Sequence, residues 1–259
     1  MSRLLCLATL CGGALMAQLP APNSLGVSMG HLHLLVPDPA VHARIWTEVL
    51  GAKEVKYGSL TLYELPDVVL GFRKGNPTGG TDDSAVNHLG FKTRDLAKTK
   101  EALVAAGCKI VKEMPDTHQF FAMFPDAVKV EFTEDKTIAH PIVHHHIHFA
   151  SHQQDEMRTW YAKNFGAMPG MRGRFKAADL PGVNLSWNPA ETPQAPTKGR
   201  SVDHIGFEVK DLEAFCKKLE GAGIHFDRPF TKVPAIGLSI AFLTDPWGAT
   251  IELTEGLRR

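Results

Sequence analysis

His88-Leu-Gly-Phe-Lys-Thr-Arg-Asp-Leu96 returns 116 residues later as His204-Ile-Gly-Phe-Glu-Val-Lys-Asp-Leu212. The agreement continues at Leu103/Leu219, Ala106/Ala222 and Gly107/Gly223. Upstream, Leu65-Pro-Asp-Val-Val-Leu-Gly-Phe72 corresponds to Leu180-Pro-Gly-Val-Asn-Leu-Ser-Trp187, now at a spacing of 115. His31-Leu-His33 and His146-Ile-His148 share that spacing, as do Gly51-Ala52 and Gly166-Ala167. One inserted residue explains the change. The chain is therefore a duplication. Its two domains are expected at 28–135 and 141–256, divided by the charged stretch Glu134 to Lys136 and by Pro141.

A shorter repeat sits inside each half. His31, His88 and His204 each lie seven residues before an aspartate, Asp38, Asp95 and Asp211. Each histidine opens a strand and each aspartate can cap a following helix. The first helix is expected over Asp38 to Leu50, carrying Val41, Ile45, Trp46 and Val49. The second runs from Asp95 to Ala106 and stops at Gly107. The third carries Met157, Trp160 and Tyr161 and stops at Gly166. The fourth, from Asp211 to Glu220, spaces Leu212, Phe215, Cys216 and Leu219 along one face. Strand-like runs follow the helices: Leu60 to Leu65, Val68 to Phe72, Phe120 to Phe124, Val128 to Thr133, Gly182 to Trp187, Ile240 to Leu243 and Thr250 to Thr254. Asp245-Pro-Trp-Gly248 reads as a turn. The unit is strand, helix and about three strands, four times over, giving an α+β fold of four βαβββ units.

Alternation along a strand then sorts the chemistry. Leu89 and Phe91 share one face of their strand, which a helix must cover, so His88 points the other way. The same holds for His204 against Ile205 and Phe207, for Glu131 against Val130 and Phe132, and for Glu252 against Ile251 and Leu253. His31 and His33 oppose Leu32 and Leu34, and His146 and His148 oppose Ile147 and Phe149. Histidines and one glutamate of each half thus face the side of the sheet away from the helices.

This pattern resembles the vicinal oxygen chelate superfamily, which includes glyoxalase I, methylmalonyl-CoA epimerase, extradiol dioxygenases and bleomycin- or fosfomycin-resistance proteins. The resemblance covers about residues 28 to 256. It rests on His31-Leu-His-Leu-Leu-Val-Pro-Asp38, His204-Ile-Gly-Phe-Glu-Val-Lys-Asp211 and Asp245-Pro-Trp-Gly-Ala-Thr-Ile-Glu252. It implies two domains with concave sheets, each holding one divalent metal on two imidazoles and a carboxylate. The implied sets are His31, His88 and Glu131, and His146, His204 and Glu252. Fe(II) or Mn(II) suits such a donor set, with Zn and Ni open. The position of a fourth ligand falls near Gly71 and Ser186, neither a strong donor, so the pattern is closer to extradiol dioxygenases than to glyoxalase I. Their tyrosine position, however, falls near Phe242, no histidine lies between Lys232 and Ala241, and His118 matches only loosely. His33 and His148 are left as the candidate catalytic groups, as general base, partner to a ligand or substrate contact. The implied function is a metal-dependent dioxygenase, lyase or isomerase acting on a small oxygen-bearing molecule; the alternative is a small-molecule binding or resistance protein without catalysis.

Composition bounds the partners. With 44% hydrophobic and 22% charged residues the chain is globular, and a formal net charge of zero gives no basic footprint for nucleic acid. Residues 1–17 read as a signal peptide: Arg3, apolar Leu4 to Leu10, then small residues to Ala17. Export, to the periplasm or outside the cell, follows as an expectation, with no membrane partner after signal removal and a homodimer left open. Cys6 and Cys11 would leave with the signal, and Cys108 and Cys216 read as buried thiols. His42, His144, His145, His152 and His225 are expected at the surface, His140 in a linker, Trp46 and Trp160 in the core, and Trp247 as a cover over a neighbouring strand.

Overall fold

The structure is a computed structural model that describes residues 19–258; the expected signal segment lies outside the described residues. The first unit comprises β1 (Val27–Val36), α1 (Pro39–Arg44), β2 (Lys53–Tyr57), β3 (Leu60–Leu65) and β4 (Val68–Lys74). The second comprises β5 (Val86–Thr93), α2 (Leu96–Ala105), β6 (Lys109–Met114), β7 (Gln119–Phe124) and β8 (Val128–Glu134). The third comprises β9 (Ile142–Ser151), α3 (Gln154–Phe165), β10 (Met168–Arg172), β11 (Phe175–Leu180) and β12 (Val183–Pro189). The fourth comprises β13 (Val202–Val209), α4 (Leu212–Gly221), β14 (Arg228–Val233), β15 (Leu238–Thr244) and β16 (Thr250–Glu255). Asp38, Asp95 and Asp211 cap their helices by accepting from backbone N–H groups one turn in. The first helix changes pitch: α1 passes into a π-helical turn over Ile45–Val49, which leaves Trp46 and Ile45 fully buried.

The four βαβββ units build two curved eight-stranded sheets. They are paired across the midpoint of the chain. One sheet runs β14-β15-β16-β13-β1-β4-β3-β2, joining the first unit to the fourth; the other runs β10-β11-β12-β9-β5-β8-β7-β6, joining the third to the second. The joints are the antiparallel pairs β1–β13, with His33 opposite His204, and β5–β9, with His88 opposite His148. One continuous apolar core serves both sheets. Trp46 packs on Phe91 and Phe124 at ring-centroid distances of 5.2 and 5.3 Å, and Phe165 packs on Phe207 at 5.2 Å. At the positions related by the repeat to Trp46 and Phe124, the Tyr161 hydroxyl donates to the Asp245 carboxylate at 2.9 Å.

Two expectations about histidines are corrected. His42 is fully buried, because α1 lies against the second unit and Asp126 accepts its Nε2 at 3.0 Å. His144 is buried as well, with Nδ1 at 3.2 Å from the Gly182 carbonyl and its ring against Phe91. A bulge at His145 interrupts the β5–β9 register there and turns His144 inward. Cys108 and Cys216 are buried free thiols. Trp247 donates from Nε1 to Gln153 and meets Trp160 edge-on.

Candidate functional site

Because the units pair across the midpoint, the donor sets are not those expected. The first-strand histidines exchange partners: His31 joins His204 and Glu252, and His146 joins His88 and Glu131. In the first sheet, Glu252 Oε2 lies 2.9 Å from His31 Nε2 and 2.9 Å from His204 Nε2. In the second, Glu131 Oε2 lies 3.1 Å from His88 Nε2 and 3.5 Å from His146 Nε2, and those two nitrogens are 3.4 Å apart. His33 and His148 stand beside the clusters, with rings 4.4 Å from His204 and 4.5 Å from His88. Within each group of four, donor atoms lie within 4.8 Å of one another.

Two glycines make the convergence possible. Gly206 faces His31 across β1–β13, and Gly90 faces His146 across β5–β9. A Cβ on Gly206 would sit 2.1 Å from His31 Cε1, and one on Gly90 would sit 1.9 Å from His146 Cε1. Each imidazole therefore lies in the space that any other residue's side chain would fill.

The residues before His88 and His204 also belong to the site. Asp203 Oδ1 lies 2.7 Å from His204 Nδ1, and Asn87 Oδ1 lies 2.9 Å from His88 Nδ1. Strict alternation would turn Asp203 and Asn87 to the opposite face. Bulges at these two residues, seen as breaks in the β1–β13 and β5–β9 registers, bring them round. Each oxygen accepts the Nδ1 proton and so leaves an Nε2 lone pair for the cluster. Asp203 is itself held by the Gly199 N–H at 2.7 Å.

The electrostatics favour ligation. Burial pushes the Glu131 and Glu252 carboxyls up, but the neighbouring histidines outweigh it and hold both well below the carboxylate range. Burial holds His88, His146 and His148 below the usual imidazole range, so these rings are neutral. His204 goes the other way: burial lowers it, and its bonds to Asp203 and Glu252 raise it further. Two neutral or carboxylate-oriented imidazoles and one ionised carboxylate, meeting within hydrogen-bonding distance, fit a divalent cation.

The surroundings of the clusters differ. The concave face of the first sheet carries Tyr57, Leu62, Val69, Leu238 and Ile240 in an apolar cluster that takes in Leu19 and Leu257 from the two ends of the described chain. Tyr57 donates to the Leu257 carbonyl at 2.8 Å, and Glu208 accepts the N–H groups of Gly256, Leu257 and Arg258. A cavity of about 890 Å³ opens onto the second cluster, with His88, Glu131, His148, Phe121 and Arg172 in its wall. Arg172 and Gln119 were not singled out from the sequence. Gln119 donates to Glu131 Oε1 at 2.9 Å, and Arg172 approaches His146 Nε2 at 3.2 Å. Arg172 lies in Met168-Pro-Gly-Met-Arg-Gly-Arg174, whose proline and glycines suggest a loop, although it is the repeat equivalent of Tyr57. Phe242, at the missing tyrosine position, packs edge-on against His204, as Phe121 does against His88.

Residues 28–136 and 143–253 match the family described as the Glyoxalase/Bleomycin resistance protein/Dioxygenase superfamily. The chain belongs to this superfamily. Among solved structures it is similar to glyoxalase I from Zea mays, at 19% identity over 88% of this chain and 92% of that one, with a TM-score of 0.68. It is also similar to a dioxygenase candidate from Bacillus subtilis subsp. subtilis str. 168, at 14% identity over 92% of this chain and 86% of that one, with a TM-score of 0.67. No curated protein matches in sequence. At these identities the likeness is one of fold, and a fold hosts many reactions.

Proposed function

We propose that this superfamily member is a divalent-metal-dependent enzyme acting on a small oxygen-bearing molecule, with turnover at the second sheet. The observation that carries the reading is the convergence of His88, His146 and Glu131 beneath an open cavity. These three residues would hold the ion there, and His31, His204 and Glu252 would hold another in the first sheet. Fe(II) or Mn(II) suits the donors, and Zn or Ni shares them. The ion's contribution, when bound, is Lewis-acid stabilisation of negative charge developing on a substrate oxygen.

A lyase or isomerase reaction through a chelated oxygen is the first reading, and His148 stands beside the donors. His148 is neutral through burial, and its Nδ1 reaches to 3.0 Å from His88 Nε2 while its Nε2 has no hydrogen-bond partner. Burial and the neighbouring His88, His146 and Arg172 hold its proton affinity far below that of a free imidazole, so its role is to orient His88 rather than to accept a substrate proton. Gln119 holds the Glu131 carboxylate, and Phe121 and Phe175 flank His88 and His148 and keep water from their faces. The apolar Phe121 and Phe242 leave a ring-cleaving oxygenase without its usual acid, which is why dioxygenation ranks second. Export is proposed on the pattern of residues 1–17, and N-terminal sequencing of the secreted protein tests it.

The deciding experiment is metal analysis of protein purified anaerobically without a nickel column, for wild type, His88→Ala and His204→Ala. Two equivalents in the wild type, one lost in each variant, and turnover lost only in His88→Ala are expected. Metal-free protein after reconstitution, or full turnover by His88→Ala, rejects the reading.

A further inference from the structure

Arg172 is the feature that most separates the two clusters, and its surroundings say what it is for. It ends β10, and its register partner Phe175 lines the same cavity. Its Nε donates to Ser186 Oγ at 3.0 Å, which fixes the plane of the guanidinium. The two terminal nitrogens then face the cluster: NH2 lies 3.2 Å from His146 Nε2 and 3.5 Å from His148 Nδ1, and NH1 lies 3.8 Å from Glu131 Oε1.

None of these is a durable partner. The His146 lone pair is the one the cluster needs for a cation. Glu131 is already taken by His88, His146 and Gln119. The Arg172 side chain is half-buried, at 18% exposed, and faces the open cavity, so its donors are left to water or to a ligand there, and an anion meets them with charge-assisted bonds that water does not. Around the rim Lys112 and Arg174 are matched by Glu113 and Asp116, so the local balance is set at the cluster, where a divalent cation would add two positive charges to Arg172 against the one carboxylate of Glu131. An anion is the missing complement, and a guanidinium anchored through Nε offers two parallel donors, the geometry that suits a carboxylate. At the repeat-equivalent position in the first sheet stands Tyr57, whose hydroxyl is bound to Leu257.

We infer that the second-sheet site takes a small carboxylate, a 2-oxo or 2-hydroxy acid, with Arg172 receiving the carboxylate and the adjacent oxygen presented to His88, His146 and Glu131. This substrate class rests on the metal-enzyme reading above. Arg172 lies 3.2 Å from His146 and 3.8 Å from Glu131, so the acid group and the chelating oxygen belong to neighbouring atoms of one small molecule.

The test is calorimetric titration of the full chain with pyruvate and lactate against hydroxyacetone, a neutral molecule of the same size with vicinal oxygens. Wild type, Arg172→Gln and Arg172→Lys are each titrated metal-free and after Mn(II) loading, with manganese content measured in parallel. The acids should bind wild type about tenfold or more tightly than hydroxyacetone, the range expected of charge-assisted hydrogen bonds. Arg172→Gln should lose that preference while keeping its manganese, and Arg172→Lys should retain part of it, since a point charge lacks the paired donors. Equal binding of acids and hydroxyacetone, a preference that survives in Arg172→Gln, or no binding of either acid overturns the inference. Absence of manganese from every sample refutes the metal reading separately, and the metal-free titrations still decide whether Arg172 selects the acid.

Discussion

Gly90→Ala should remove the second cluster without unfolding the protein. The added methyl would lie 1.9 Å from His146 Cε1 and 2.1 Å from Nδ1, where ordinary contact begins at 3.4 Å. His146 is fully buried, so its ring has little room to retreat, and the β5–β9 register fixes both backbones. Overpacking of this kind costs about 1–3 kcal/mol, a cost that a domain of ordinary stability survives. Displacing the ring takes one of three donors from the cluster, so metal affinity there should fall by at least about 100-fold, beyond the effect of losing an outer partner. Competition against a fluorescent chelator measures the affinity and urea unfolding the stability. The decisive comparison is a double-mutant cycle with His146→Ala. With the imidazole gone, the methyl has space, and Gly90→Ala should cost about 0.5 kcal/mol or less, as surface-like substitutions do. The same cost in both backgrounds, or unchanged metal affinity in Gly90→Ala, would refute the argument that this glycine exists to seat His146.

Three further outcomes follow from other parts of the structure. Asp203→Asn should weaken metal binding at the first cluster about tenfold, because an amide replaces the carboxylate behind His204 as Asn87 already does behind His88, and isothermal titration checks it. Ending the chain at Glu255 removes the buried Leu257 side chain and the three N–H groups that Glu208 accepts; it should cost about 3–5 kcal/mol in urea unfolding, and Leu257→Ser should reproduce about half of it. Burial raises Asp245 from 3.8 to about 6 in spite of its hydrogen bonds; the folded form holds the proton more tightly, so this group's stabilisation is full below about pH 4 and is lost as pH rises through about 6, some ~3 kcal/mol in all. Asp245→Asn, which keeps an acceptor for the Trp247 and Ala249 N–H groups, should therefore gain on wild type by that order between pH 4 and pH 7, and a pH-independent difference would count against a buried titrating carboxyl.

The faces of the strands were legible because burial on one side of a sheet forces alternation. His31, His88, His146 and His204 all turn away from the helices, as Leu89, Ile147 and Ile205 require. Which units share a sheet was not legible. The two halves carry the same motif, so β1 and β9 offer β5 and β13 equivalent edges, and local pattern cannot choose between partners. The choice moves His31 and His146 from one donor set to the other and leaves every face assignment intact. Asn87 and Asp203 escaped because a bulge breaks the period of two that strand reading depends on. His42 escaped because its burial comes from Asp126 and Phe72 beyond its own helix.

Duplication supplied two equivalent donor sets, and the differences lie in what faces them. Donor geometry is set by strand register and by Gly90 and Gly206, so it is insensitive to changes on neighbouring strands. Residues one strand away are free to vary, and position 57/172 shows the result. Tyr57 joins an apolar cluster with Leu257, whereas Arg172 carries a charge into a cavity. In the first sheet Asp203 behind His204 adds a second carboxylate to Glu252, so a bound cation is balanced within the protein, while in the second sheet the neutral Asn87 takes that place and Arg172 adds positive charge, which calls for an anion from outside. Equal donors with unequal surroundings therefore imply unequal ligands, and the second sheet is where a small acid would be selected.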